Sequence, residues 1–222
     1  MSAASPVVPA APERIGVFGG AFDPPHNAHV ALAQAAIAQL DLCSLHVIPT
    51  GIAWHKTRTL TLPAHRLAMA RLAFEGAPRV VIDPRELERA GPTFTIDTLE
   101  TLKQENPTAE LYLIMGADQF SAFRQWHRWE AILDLAIICV AERANNTRAS
   151  GLFESFLAKK DRFKSLEMPV SPISATQVRQ AVQGGLTAPS DPLDISRLVP
   201  PAVARYISDH ALYQAAQSGQ TD

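Results

Sequence analysis

Apolar residues along this chain gather in short runs with little polar alternation, at 15–18, 45–48, 111–115 and 136–140, with a shorter β-branched run at 79–82. Runs of that kind predict strands buried on both faces, the pattern of a parallel sheet covered on each side. Between them the apolar spacing becomes helical. An alanine-rich stretch at 28–40 predicts a first helix with Asn27 as its N-cap. Leu67, Ala70, Leu72 and Phe74 mark a second within 63–75, and further helices are predicted over 96–105 and 130–133. Two more close the chain, at 175–183, ended by Gly184 and Gly185, and at 201–210. Segment 83–92 reads as a polar excursion. Segment 145–168, with Lys159, Lys160, Arg162 and Lys164, reads as a solvated helical excursion or flap.

Strands alternating with helices predict an α/β fold, a Rossmann-like doubly wound parallel sheet with a small C-terminal helical part. Residues 1–13, rich in Ala, Pro and Ser, predict a disordered tail before a single domain over 14–222. Ligands of such sheets bind beyond the carboxyl ends of the strands. Gly19, Pro49, Gly116 and Glu142 all fall on that rim.

The rim is where the chemistry concentrates. Gly19 and Gly20 end the first strand and let a ligand approach the backbone. Pro24 and Pro25 stiffen the exit, and His26 and His29 follow three apart at a helix start. Two imidazoles beside glycine N–H groups and a positive helix end suit a polyphosphate. Asp23, within the same turn, reads as a brace. Near the other end of the chain, Ser174 is a good N-cap, and Thr176 and Arg179 share one face of the helix it opens. A hydroxyl pair and a guanidinium at a helix start again suit phosphate oxygens. Neither G-x-x-x-x-G-K-[ST] nor G-x-G-x-x-G is present, which argues against Walker-type hydrolysis and hydride transfer.

Composition narrows the partners. A formal net charge of −2 with no basic stripe points to a nucleotide-sized ligand rather than a nucleic-acid backbone. The two cysteines, Cys43 and Cys139, lie in apolar surroundings and predict reduced core thiols. No charged n-region opens the chain and no apolar run reaches membrane-spanning length, so a cytoplasmic location is expected, with no membrane partner.

The stretch 19–29, Gly-Gly-Ala-Phe-Asp-Pro-Pro-His-Asn-Ala-His, resembles the first motif of nucleotidyltransferases that move AMP from ATP onto a phosphate, G-G-x-F-D-P-x-H-x-G-H, with Ala28 at the usual glycine. Residues 173–179, Ile-Ser-Ala-Thr-Gln-Val-Arg, resemble their second, I-S-x-T-x-x-R. Trp54-His55-Lys56 partly fits P-x-H-K, with Trp54 in the proline's place. The middle of the chain resembles bacterial nicotinate-nucleotide adenylyltransferases at 83–87, 92–99, 115–118 and 125–129, and again at 198–201 and 206–207. Shorter phosphopantetheine adenylyltransferases usually carry threonine at the place of His26.

This resemblance implies a nucleotidyltransferase of NAD biosynthesis, with ATP as co-substrate and Mg²⁺ carried on it. No metal site of its own is implied. His26, His29, Lys56 and Arg179 would be catalytic, and His26, His29, Gly19, Gly20, Phe22, Ser174, Thr176 and Arg179 would bind ATP. Gly116 and Asp118 would approach the ribose, and Ile173 the adenine. Thr95 and Trp126 would frame a pyridine ring, with main-chain N–H groups around Ile96 and His127 receiving its carboxylate. Nicotinamide mononucleotide or phosphopantetheine as acceptor, and a nucleotide-binding regulator without turnover, stay open, as does the choice between monomer and homo-oligomer.

Overall fold

The computed structural model of the protein describes residues 11–52, 59–143, 161–168, 173–184 and 195–214. Its elements are β1 (Arg14–Gly20), α1 (Asn27–Leu40), β2 (Ser44–Pro49), α2 (Pro63–Ala73), β3 (Val80–Ile82), α3 (Arg85–Glu88) and α4 (Thr95–Glu105). They continue with β4 (Glu110–Gly116), α5 (Ala117–Ser121), α6 (Trp129–Leu135), β5 (Ala136–Arg143), β6 (Phe163–Met168), α7 (Ala175–Gln183) and α8 (Pro201–Asp209). The strands form one six-stranded sheet in the order β3-β2-β1-β4-β5-β6. Every neighbouring pair is parallel. The strand order reverses between β1 and β4, which is where a doubly wound sheet opens a crevice at its carboxyl edge. Register sets the two strand ends bordering that crevice: Gly20 pairs with Pro49, and Val17 with Leu113, so Gly20 and Gly116 finish at the same level.

Side chains alternate between two cores, one on each face. Phe18, Tyr112 and Ile114 join Leu32, Ala36, Met69, Val178, Val203 and Ile207 under α1, α2, α7 and α8. Ile15, Val17, Leu111, Leu113 and Met115 join Ile96, Leu99, Phe120 and Ile132 under α4, α5 and α6. Each large apolar side chain removed from water this way contributes about 1.5–3 kcal/mol. Small residues set the spacing. Ala33 and Ala36 let α1 lie close to the sheet, and a Cβ on Gly16 would fall 2.6 Å from the Cδ1 atoms of both Leu42 and Leu45.

Four expectations are corrected. The N-cap of α1 is His26, one residue earlier than expected; Asn27 instead ties the helix start to the 195–200 turn, giving its N–H to Leu198 O at 2.9 Å and its side-chain amide to Arg197 O at 3.0 Å. The excursion after β3 contains α3, anchored through Asp83. Burial alone would raise that carboxyl's pKa, but bonds from His46 and Arg85 outweigh it and hold it at about 2. Segment 163–168 is a strand, not a flap: Phe163, Leu166 and Met168 are buried while Lys164, Ser165 and Glu167 face out, as polar residues do on an edge strand. Arg162, counted among its solvated charges, bonds Leu133 O and Asp134 O at 2.7 and 2.9 Å. Cys43 is exposed, whereas Cys139 is buried, its thiol pushed up to about 12 by that burial. The tail to residue 10, the Trp54-His55-Lys56 segment, Lys159, Lys160 and Gly185 lie outside the described residues.

Candidate active site

At the carboxyl end of β1 the chain leaves the sheet through open space. A Cβ on Gly19 would meet nothing within 4 Å, and one on Gly20 would touch only the Phe22 ring, at 3.2 Å. Phe22 takes a left-handed backbone, φ 46, and turns its ring into the core. There it meets Phe18, Phe74 and the imidazole of His29, at a centroid distance of 5.0 Å from the last. Its ring therefore packs against His29 from within the core.

A buried arginine holds this turn in place. Arg66 of α2 is 1% exposed and donates from Nη1 to Ala21 O at 3.0 Å and Thr50 O at 2.7 Å, and from Nε to Thr61 O at 3.0 Å. One guanidinium thus pins the loop after β1, the end of β2 and the approach to α2. Sequence reasoning passed over it. The signal was there, since Arg66, Met69, Ala70 and Ala73 fall on one helical stripe and all are buried.

His26 and His29 stack, ring centroids 3.7 Å apart and planes within 22°. The His26 N–H donates to Nδ1 of His29 at 3.1 Å. That acceptor role places the proton of a neutral His29 on Nε2. His26 is buried, and burial lowers its pKa to about 4, so it is a neutral imidazole near pH 7. Its Nδ1 is enclosed without a hydrogen-bond partner. A buried nitrogen left this way is an available ligand contact or a small destabilising term.

The C-terminal motif reaches the same turn. Ser174 caps α7 reciprocally: Gln177 N–H donates to Ser174 Oγ at 3.3 Å, and Ser174 N–H to Gln177 Oε1 at 2.8 Å. On the helix face so fixed, Arg179 donates from Nη2 to Thr176 Oγ1 at 3.1 Å and from Nη1 to Asp23 O at 2.8 Å, across 156 residues. The Asp23 carboxylate is itself buried, accepting from the Tyr213 hydroxyl at 2.6 Å and from Thr61 N–H at 3.2 Å. Asp23 therefore braces the turn from both its side chain and its carbonyl.

Across the crevice, α4 begins at Thr95 and Ile96, whose first-turn N–H groups have no partner inside the helix. Thr95 is half-buried and Ile96 is buried. The Phe94 ring lies 4.5 Å from that of His127, Trp126 packs edge-on against Phe123 at 5.6 Å, and Arg128 pairs with Glu100 at 3.0 Å. These contacts bring the 126–128 turn, with Trp126 half-buried and His127 exposed, onto the start of α4. Beneath it sits a residue without an assigned role in the sequence analysis. Glu86 is buried, and burial raises its pKa although the Gly51 N–H and the Thr98 hydroxyl bond it, the latter at 2.9 Å. Gly51 has no room for a side chain there, because a Cβ would land on the Glu86 carbonyl.

Gly116 ends β4 beside open space, Asp118 is exposed in the first turn of α5, and Ile173 is half-buried just before α7. Lys56 lies outside the described residues. Among the described residues no group of three His, Cys, Asp or Glu side chains is placed to hold a metal ion.

Comparison with known proteins bears on this crevice. The sequence model of the cytidylyltransferase-like family matches residues 17–181. A probable nicotinate-nucleotide adenylyltransferase of Albidiferax ferrireducens is 54% identical over 92% of this chain and 100% of its own length. Its counterpart from Methylibium petroleiphilum is 38% identical over 93% of this chain and 95% of its own. The solved structure of Plasmodium falciparum nicotinic acid mononucleotide adenylyltransferase complexed with APC shares the fold, with a TM-score of 0.70 over 90% of this chain and 97% of that one, at 23% identity. The same enzyme complexed with NaAD aligns with the same score and coverage at 22% identity.

Proposed function

The chain belongs to the cytidylyltransferase-like family, among its nicotinate-nucleotide adenylyltransferases, and we propose that this crevice joins ATP to nicotinate mononucleotide, giving nicotinate adenine dinucleotide and pyrophosphate in NAD biosynthesis. The observation that carries the assignment of the site is the bond from Arg179 to Asp23 O, which brings both phosphate motifs to one turn at the strand-order reversal.

The phosphate of the mononucleotide attacks the α-phosphorus of ATP in line. A new P–O bond forms as the bond to the β-phosphate's bridging oxygen breaks, and pyrophosphate leaves. No group needs to become covalently attached to the protein, so acceleration comes from alignment and charge stabilisation. His29 donates from Nε2 to the phosphate oxygens. His26, neutral and with an unpartnered nitrogen, adds a contact without introducing a fixed charge. Arg179 and Thr176 hold the departing pyrophosphate, and Lys56 adds its charge to the phosphates. Gly19 and Gly20 leave the backbone clear for the triphosphate, while Gly116 and Asp118 meet the ribose and Ile173 the adenine. Magnesium arrives bound to the triphosphate.

Thr95 and Trp126 frame the pyridine ring, and main-chain N–H groups at Ile96 and His127 receive the carboxylate. An amide would turn an NH₂ toward those donors, which disfavours nicotinamide mononucleotide. The substrates are small molecules, and we place the enzyme in the cytoplasm; no helix among the described residues is long and apolar enough to cross a membrane. The test is pyrophosphate release from Mg-ATP with nicotinate mononucleotide, nicotinamide mononucleotide and phosphopantetheine in parallel. Preference for the first is expected. Preference for another acceptor overturns the pocket around Thr95 and Trp126, and ATP binding without release from any of the three identifies a regulator.

A further inference from the structure

We infer that Tyr213 is a positioning residue for the ATP phosphates, acting through Asp23 on Arg179. It lies outside both phosphate motifs, at the far end of the described chain. The inference rests on the adenylyl-transfer reading of the crevice and adds to it a residue from the C-terminal turn.

The geometry is a continuous relay. The Tyr213 hydroxyl donates to Asp23 Oδ1 at 2.6 Å, a short contact of the kind a carboxylate makes with a hydroxyl. Thr61 N–H holds the other carboxylate oxygen at 3.2 Å. With both oxygens engaged, the Asp23 main chain is fixed, and its carbonyl accepts Arg179 Nη1 at 2.8 Å. Arg179 Nη2 is turned onto Thr176 Oγ1 at 3.1 Å, so both bonds to the guanidinium set its plane. Removing the first link frees the second.

The chain reaches Tyr213 through the cap of α8, where Ala211 takes the left-handed region at φ 49; Tyr213 follows with a second left-handed backbone, φ 64, uncommon for a residue with a bulky side chain. The turn is bonded back to α8 through Leu212 N–H and Ile207 O at 3.0 Å, and the tyrosine packs beside the core under α1 and α2. Burial and the adjacent Asp23 carboxylate both push its phenol's pKa up, so the hydroxyl keeps its proton and stays a donor throughout the working pH range. A phenylalanine would fill the same apolar space. What the hydroxyl adds is the grip on Asp23.

The decisive variant is Tyr213→Phe in the full chain, with Asp23→Asn and the double variant beside it. Loss of a charge-assisted bond predicts kcat lower by about tenfold and KM for ATP higher by about fivefold, with KM for nicotinate mononucleotide within twofold of wild type. The dissociation constant for Mg-ATP, measured by titration calorimetry without an acceptor, rises by a similar factor. In the double variant the effects fall well short of multiplying, because the same link is cut twice. Met69→Leu, which replaces the thioether 3.9 Å from the same hydroxyl with a hydrocarbon of similar volume, leaves kcat and KM for ATP unchanged. A Tyr213→Phe protein with a lower melting temperature but wild-type kcat, KM and Mg-ATP affinity overturns the inference and leaves Tyr213 a packing residue. Multiplicative effects in the double variant overturn it as well. Wild-type protein that binds Mg-ATP yet releases no pyrophosphate with nicotinate mononucleotide overturns the reaction assigned above, while weaker Mg-ATP binding in Tyr213→Phe would still support the relay.

Discussion

The two sides of the crevice are built differently. On the side proposed for the phosphates, the groups are held by largely buried polar contacts drawn from remote segments: Arg66 on three carbonyls, Asp23 between Tyr213 and Thr61, Arg179 on Asp23. On the side proposed for the acceptor, Thr95 and Trp126 are half-buried and His127 exposed, and the 126–128 turn is fixed by aromatic contacts and one surface ion pair. The proposed reaction accounts for the difference. Stabilising charge that develops in a transition state requires donors already in place, because reorganising them during the reaction costs what they would contribute. Recognising a planar ring and its carboxylate requires complementarity to a ground state, which main-chain N–H groups and an adjustable aromatic can supply.

The contrast can be broken most sharply at His29. Replacing it with alanine removes a preorganised donor and should lower kcat by roughly 10²–10³-fold in steady-state assays, with far less effect on KM for the acceptor. Next is the scaffold. Arg66→Met leaves the carbonyls of Ala21, Thr50 and Thr61 without that donor in a buried setting and should destabilise the fold by about 3 kcal/mol in urea unfolding. The acceptor side's own arginine gives the opposing case: Arg128, half exposed in its pair with Glu100, should cost less than about 1 kcal/mol when changed to Met.

A third prediction concerns pH. His26 is held neutral, its pKa lowered by burial from 6.5 to about 4. The unfolded chain takes up that proton first as pH falls, so the stability associated with the neutral ring is complete above pH 6.5 and is lost as pH drops through about 4. The span corresponds to roughly 3 kcal/mol. Unfolding free energies of wild type and His26→Asn, compared across that range, should diverge in slope; parallel curves would mean the ring is not buried neutral. A moderate effect lies on the acceptor side. Trp126→Ala should raise KM for nicotinate mononucleotide about tenfold while KM for ATP stays within twofold, the loss of one packed aromatic face. An equal rise for both substrates would place Trp126 outside the pyridine pocket.

Much of the frame was legible along the chain. Unalternating apolar runs announced a parallel sheet because strands covered on both faces have no solvent side to mark. Strand β6 escaped for the complementary reason: on an edge, buried Phe163, Leu166 and Met168 sit among Lys164, Ser165 and Glu167, and the sequence reads as surface. His26 as a cap was missed because imidazole is not among the usual capping groups, while Asn27 is; the asparagine was claimed by carbonyls at Arg197 and Leu198 instead. In the candidate site, the glycines, the histidine pair and the Ser174 cap could be placed from local spacing alone.

What the sequence determined by itself is the set of groups and their local order: which segments are strands or helices, and which short motifs carry imidazoles, hydroxyls and a guanidinium at strand and helix ends. These depend on neighbours a few residues away, and periodicity and capping report them directly. Only the tertiary structure decided that Arg179 would bond to Asp23, that Arg66 would be buried beneath the turn, and that Tyr213 would reach a carboxylate at the start of the chain. Those pairings depend on which strand lies beside which, and on buried carbonyls and carboxylates that must find donors wherever the fold brings them. No local pattern encodes a partner that distant.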